Sequence, residues 1–423
     1  MMKLQKKIIV TIFLTIGALS IDGREVSNKI CPTPLPQKYQ HLDAGEMLSA
    51  YVANWDVYGP NKYNIENIEP IAHRLTHIIY AFMKPDEVTG ACRPHDNWAD
   101  IGAVDDYQTK VGGNFAKLLE LKKKHPHLKV LLSIGGGTYN KNFIKIAQNQ
   151  KMLMEFAKSC VDMLDFYHHD FQHFQDKSWQ KTHFKYHGLF DGLDIDWEWD
   201  AGALTPALSE SFSKFIHELR RLLQIRKKAT KQESLLAIAL QATPSIYKTL
   251  NLTALAQDVD WFHLMAYDFF GPGNETIGFN APICSTWSVY SIDGALQRIM
   301  EQGLSPEKMV LGLPLYGYMY ENTDGYNAKI DKKSKSKHVS YNNIQKNYLD
   351  HPEFEKQWDE FGLVPSLYNP KKRVFISYDG HESMAHKVEF AKDKKMRGVV
   401  LWRLSGDDDK NTMVHAIADA LSS

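Results

Sequence analysis

Eight short apolar runs, separated by stretches with helical spacing, dominate the chain from about Glu46 onward. They are Leu48–Asn54, Thr76–Phe82, Lys129–Ile134, Gly192–Glu198, Leu235–Gln241, Trp261–Tyr267, Met309–Leu313 and Gly398–Trp402. Apolar residues three and four apart fall between them at Gly113–Lys124, Met152–Asp165, Ser209–Gln224, Ser291–Gln302 and Glu382–Lys394. Strands alternating with amphipathic helices build βαβ units and a parallel sheet. Eight such units close into a ring, so the expected fold class is α/β, a (β/α)8 TIM barrel. One gap breaks the rhythm. Roughly 85 residues separate the seventh and eighth runs, far more than the ~2–6 residues and a helix of an ordinary connection, so an inserted subdomain is expected at 319–374.

The fourth run carries an unusual load. Side chains alternate across a strand, so Asp194, Asp196 and Glu198 share one face while Leu193, Ile195 and Trp197 share the other. In a parallel barrel the outer face meets helices and takes the apolar residues. The three acids therefore stack inside, with Glu198 nearest the C-terminal mouth, where barrel enzymes work. Buried carboxylates that crowd one another cannot all ionise, so the group must retain a proton whose apparent pKa belongs to the set. A carboxyl kept neutral near working pH can serve as a general acid.

Composition narrows the partners. Lys plus Arg and Asp plus Glu stand at 50 each, which leaves no net field to draw phosphate backbones or anionic lipid, and nucleic acid is not an expected partner. The local basic run Lys332–Lys337 reads as a solvated loop. At the N-terminus, basic residues up to Lys7, the apolar run Ile8–Leu19 and the small-residue site Ala18-Leu-Ser20 have the layout of an export signal over residues 1–20. The apolar run falls short of the ~20 residues of a spanning helix, so no stable membrane insertion is expected after cleavage, and the product should be secreted, extracellular or periplasmic. Residues 21–45, with Pro32, Pro34 and Pro36, read as a leader or linker. Export would allow Cys31, Cys92, Cys160 and Cys284 to pair in any of three ways, with Cys160 as fitted to a buried free thiol as to a bridge. His168, His169, His173, His183 and His187 lie together before the fourth run, but no second ligand cluster completes a site, so no metal is expected and the stretch reads as a polar surface loop.

Asp191-Gly-Leu-Asp194-Ile-Asp196-Trp-Glu198 is similar to the DxxDxDxE signature of glycoside hydrolase family 18 chitinases. Other segments agree in order: Tyr51-Val-Ala-Asn-Trp55, Tyr80-Ala-Phe82, Ser133-Ile-Gly-Gly136, Met265-Ala-Tyr267-Asp268, Leu311 to Gly317, and Gly398 to Trp402. The resemblance runs from about Met47 to Leu421 and implies a catalytic barrel over 46–423 with a small α+β insertion between strands 7 and 8, over 319–374. It also implies hydrolysis of β-1,4 linkages in chitin or chitooligosaccharides with retention, assisted by the substrate's own acetamido group. In that reading Glu198 is the acid and later the base, Asp196 supports the acetamido nitrogen, Asp194 shares a proton with Asp196, and Tyr267 bonds the acetamido group. Trp402 floors the reacting ring, Met265 and Asp268 contact substrate, and Tyr51, Phe82 and Trp199 complete the lining, although core packing suits Phe82 and Trp55 better. Asp191 would brace the strand. No cofactor is implied, and a monomer is expected.

The chain departs from the family's pattern at Gly137, where Trp is usual, at Trp199 in place of Tyr, and at Tyr318 in place of Arg, which leaves the choice of sugar chain open. A chitin-binding lectin, an endo-β-N-acetylglucosaminidase and a peptidoglycan hydrolase are the alternatives. Retention of every acid argues against the first.

Overall fold

The computed structural model describes residues 31–59, 62–102, 113–165, 188–200, 202–330 and 334–423. The signal reading at 1–20 and the His-rich stretch lie outside these residues. Among the described residues fourteen strands follow one another: β1 Met47–Ala53, β2 His77–Asp86, β3 Ala91–Pro94, β4 Lys129–Gly135, β5 Gly192–Asp196, β6 Leu235–Gln241, β7 Trp261–Met265, β8 Met309–Pro314, β9 Tyr316–Glu321, β10 Lys335–Ser340, β11 Glu355–Asp359, β12 Val364–Asn369, β13 Val374–Ser377 and β14 Gly398–Trp402. Eight of them pair in parallel in the order β1-β14-β8-β7-β6-β5-β4-β2, and β1 pairs with β2 to close the barrel. Each of the eight expected runs is one of these strands.

Alternation along β1 shows how the wall is built. Leu48, Ala50 and Val52 belong to the large core between barrel and helices, whereas Met47 and Tyr51 belong to the cluster inside the barrel with Ile79, Leu131, Trp261 and Val400. The outer helices bury one stripe each. The helix Pro206–Thr230 begins at Thr205, whose hydroxyl accepts from the Leu208 N–H, and buries Phe212, Phe215, Ile216 and Leu219.

Between β8 and β14 the chain forms a second, antiparallel sheet in the order β10-β9-β13-β12-β11, with the helix Tyr341–Asn347 after β10. Its first strand leaves β8 after a single residue, so this sheet rises directly from the C-terminal mouth. Lys335 and Lys337, read as part of a charged loop, instead lie on β10, an edge strand whose exposed lysines hinder pairing with another chain.

The segment read as a linker is docked from Cys31 onward. Cys31 forms a disulfide with Cys284, Thr33 donates its N–H and hydroxyl to Asp293, and Tyr39 is buried with its hydroxyl on the Leu304 carbonyl. Prolines signal the absence of helix and strand but say nothing about long-range docking. Cys92 and Cys160 are buried free thiols. Among the described residues no helix is long and apolar enough to cross a membrane.

Candidate active site

β5 ends at the mouth with its acids in line. Asp194 and Asp196 are buried, and Glu198, two residues further, is half-buried. The strand is held from outside by Asp191, which accepts from the Val130 N–H at 2.7 Å and from Lys122 at 2.6 Å.

Three donors converge on Asp194. Tyr51 and Ser133 give their hydroxyl hydrogens to Oδ2 at 2.8 and 2.7 Å, and His263 Nδ1 lies 3.1 Å from Oδ1. The indole N–H of Trp261 donates to His263 Nε2 at 2.8 Å, which fixes the ring proton on Nδ1 and makes His263 a neutral donor to Asp194. Burial, reinforced by Glu198 and Asp194, raises the pKa of Asp196 well above the carboxylate range, and its Oδ1 has no hydrogen-bond partner in the protein. Burial, with the charge of Asp268 adding, pushes Glu198 up to about 7 against an opposing hydrogen bond from the Gly137 N–H.

The glycines after Ser133 make that last contact possible. Gly136 has φ +89°, a region side chains avoid, and a Cβ there would lie 2.6 Å from the Phe82 ring. The turn brings Gly137 so close that a Cβ would stand 3.3 Å from a Glu198 oxygen.

The acids open into a cleft of about 500 Å³ lined by Tyr51, Asp196, Glu198, Gln241, Met265, Tyr267, Asp268, Tyr290 and Trp402 among others, a size that suits a small-molecule or oligomer site. Met265 and Tyr267 project from the end of β7, and Trp402 closes β14. Tyr51 meets Trp402 edge-on at 5.1 Å. Asp268 accepts hydroxyl hydrogens from Tyr316 and, at 2.7 Å, from Tyr318. Both tyrosines point the same way from β9, so the inserted sheet reaches over the mouth and fixes an acid of the barrel.

Two expected lining residues are elsewhere. Phe82 stacks on Trp402 at 5.9 Å, lies tilted against Trp55 at 5.8 Å, and packs behind the cleft lining. Trp199 lies on the outer face, stacked on Trp197 at 4.1 Å and edge-on to Phe212, because period two sends it opposite to Glu198. Its backbone N–H donates to the Gln241 side chain at 2.7 Å, orienting a residue that does line the cleft. Sequence reasoning missed Gln241, Ser133, His263 and Tyr316, and named Tyr318 only as a departure from the family's pattern. Alternation on the strands would have found His263, which shares its face with Trp261, Met265 and Tyr267.

A parallel barrel with aligned acids at its C-terminal mouth, one carboxyl pushed up to about 7, and an indole beside them in the cleft is an arrangement of the glycoside-hydrolase type. The profile of the glycosyl hydrolases family 18 matches residues 47–407, and the chain belongs to this family. It is 27% identical over 428 residues to Chitinase A1 of Niallia circulans, with 87% of this chain and 58% of that protein covered, and 27% identical to Probable chitinase 2 of Drosophila melanogaster, with 86% and 72% covered. This chain thus spans little more than half the length of the bacterial relative. Chitinase ChiA74 from Bacillus thuringiensis superimposes with a TM-score of 0.75 at 25% identity, covering 89% of this chain and 70% of that one.

Proposed function

We propose that this protein is a secreted chitinase that cleaves β-1,4 bonds between N-acetylglucosamine units with retention. The observation that carries the reading is the line Asp194, Asp196, Glu198 opening into a cleft floored by Trp402. Glu198 protonates the glycosidic oxygen. The acetamido oxygen of the sugar then attacks the anomeric carbon, the leaving chain departs, and an oxazolinium ion forms. Asp196 Oδ1, buried and unpartnered among the described residues, accepts from the acetamido N–H, and as positive charge grows there the proton held by Asp196 passes to Asp194, which shares it, leaving a carboxylate to balance that charge. Tyr267 bonds the acetamido group from the end of β7. Deprotonated Glu198 activates water for the second step. Export follows from the N-terminal apolar run, and the Cys31–Cys284 disulfide suits an oxidising compartment.

Chitohexaose, an N-glycoprotein and peptidoglycan, assayed side by side, test the substrate. Release of short chitooligosaccharides as the β anomer, with the other two substrates left intact, is the expected result. Turnover of the N-glycoprotein or peptidoglycan alone would replace chitin with that polymer.

The protonation state of Glu198 sets a pH limit. Its folded value lies above the ordinary carboxyl range, so the acid form is populated below about 7 and lost above it. The expected kcat/KM on chitooligosaccharides therefore falls about tenfold per unit on the alkaline side of that value. A flat profile to pH 9 would remove Glu198 from the acid role.

Trp402→Ala takes away the floor while leaving the acids in place. An indole offers one broad apolar face to a sugar's C–H surface, with an expected loss of about tenfold or more in kcat/KM. Unchanged kinetics would assign Trp402 to packing alone.

A further inference from the structure

Glu198 stands beyond the regular part of its strand. The ladder of β5 with β6 ends at Ile195 opposite Ile238, and that with β4 ends at Asp196 opposite Gly135. A general acid whose backbone has left the sheet needs other restraint, because a displacement of about 1 Å at a reacting group can cost about a hundredfold in rate. Two side-chain amides supply that restraint, one from each flank of β5.

The first is Gln241, the last residue of β6, itself in register with Met265 at the end of β7. Its Oε1 accepts the Trp199 N–H at 2.7 Å, and its Nε2 donates to the Trp199 carbonyl at 3.3 Å. A side-chain amide carries the same donor and acceptor as a peptide group. Gln241 therefore holds Trp199 as a further residue of β6 would, and continues the pairing past the acid. The second is Asn140, buried at the start of the helix Asn140–Ala147 that follows β4. Its Oδ1 accepts the Trp197 indole N–H at 3.0 Å, and its Nδ2 donates to Asp200 Oδ2 at 2.7 Å. The residues before and after Glu198 are thus each fastened by one amide or the other. Ring packing closes the outer side: Trp197 stacks on Trp199 at 4.1 Å and on Phe143 of that helix at 4.8 Å. With both indoles held on the outside, alternation aims the Glu198 side chain into the cleft.

We infer that Gln241 and Asn140 are positioning residues for proton transfer: as amide clamps on Trp199, Trp197 and Asp200 they keep the Glu198 carboxyl directed at the leaving oxygen. The inference rests on the chitinase reading and adds to it two residues that act through the backbone of the acid rather than on the sugar. Gln241 also lines the cleft, so a direct contact with substrate is the competing role.

The test compares Q241M and N140L with the parent on chitotetraose, whose leaving sugar needs a proton, and on a nitrophenyl chitobioside, whose leaving group does not. Each variant keeps the bulk of the side chain and lacks the amide. The ratio of the two kcat values within one preparation cancels any unfolded fraction. Q241M is expected to lower kcat on chitotetraose about tenfold or more, with KM within about twofold and nitrophenyl chitobioside turnover within about threefold. N140L should lower the ratio in the same direction. Q241E, which still accepts the Trp199 N–H but as a carboxylate cannot donate to its carbonyl, should fall between Q241M and the parent, and it carries the test alone if the other two do not fold. A parental ratio in the Gln241 variants would overturn the clamp. So would a KM raised on both substrates with the ratio unchanged, which assigns Gln241 to sugar binding. An unchanged ratio in N140L alone strikes Asn140 from the pair. A parent that turns over neither substrate would instead reject the chitinase reading itself.

Discussion

Glu198→Gln is expected to reduce kcat on chitooligosaccharides by about a thousandfold or more, because a positioned general acid supplies roughly 10²–10⁴ and the same residue serves both steps. Gln fills the same space and can still accept the Gly137 N–H, so the fold and the cleft should persist. A substrate whose leaving group needs no protonation, such as a nitrophenyl glycoside, should recover part of the loss. Near-parental rates on the natural linkage would reject the assignment. Stability moves the other way. The carboxyl value rises from 4.5 to about 7 on folding, so the unfolded chain ionises first as pH climbs and the folded state loses stability across that window. Gln does not ionise. The variant should therefore match the parent below pH 4.5 and gain on it up to about pH 7, levelling at no more than about 3 kcal/mol. Chemical denaturation at pH 4 and pH 8 measures the difference, and equal gains at both would mean that Glu198 is not held neutral.

Asp196→Asn is expected to cost about a hundredfold in kcat, the usual scale for removing one preorganised electrostatic contact at a developing charge. The contrast with Glu198→Gln lies in the rescue. Asp196 acts on the acetamido group rather than on the leaving oxygen, so a good leaving group should restore little. KM should change less than kcat, because the charge being balanced arises after binding. Rescue equal to that of Glu198→Gln would place Asp196 in the proton transfer and not beside the acetamido nitrogen. The proton on Asp196 is retained first by burial and then by Glu198 and Asp194, so the two variants should not be additive.

Much of this arrangement could be read from local pattern. All eight barrel strands emerged from apolar runs, and alternation along β5 assigned Asp194, Asp196 and Glu198 to one face before any coordinates. Taken one residue further it sends Trp199 outward, and applied to β7 it puts His263 inside beside Asp194, as the hydrogen bonds bear out. Other features depend on contacts between distant segments. Tyr316 and Tyr318 reach Asp268 across about 50 residues, and no local period in β9 announces it. Cys31 and Cys284 are 253 residues apart, and three prolines near Cys31 pointed to a free tether when the segment is docked. Phe82, at the end of its expected strand, could face either the cleft or the wall, and only the stack with Trp55 and Trp402 decides it.

The bond from Cys31 to Cys284 makes the history of a preparation part of its enzymology. Protein made where thiols stay reduced, or trimmed past residue 31, would keep the barrel, the acids and the cleft, while the loop bearing Trp287 would lose one of its moorings. Two samples of identical purity could then differ in how firmly that loop is held, and titrating free thiols before comparing them would tell the samples apart.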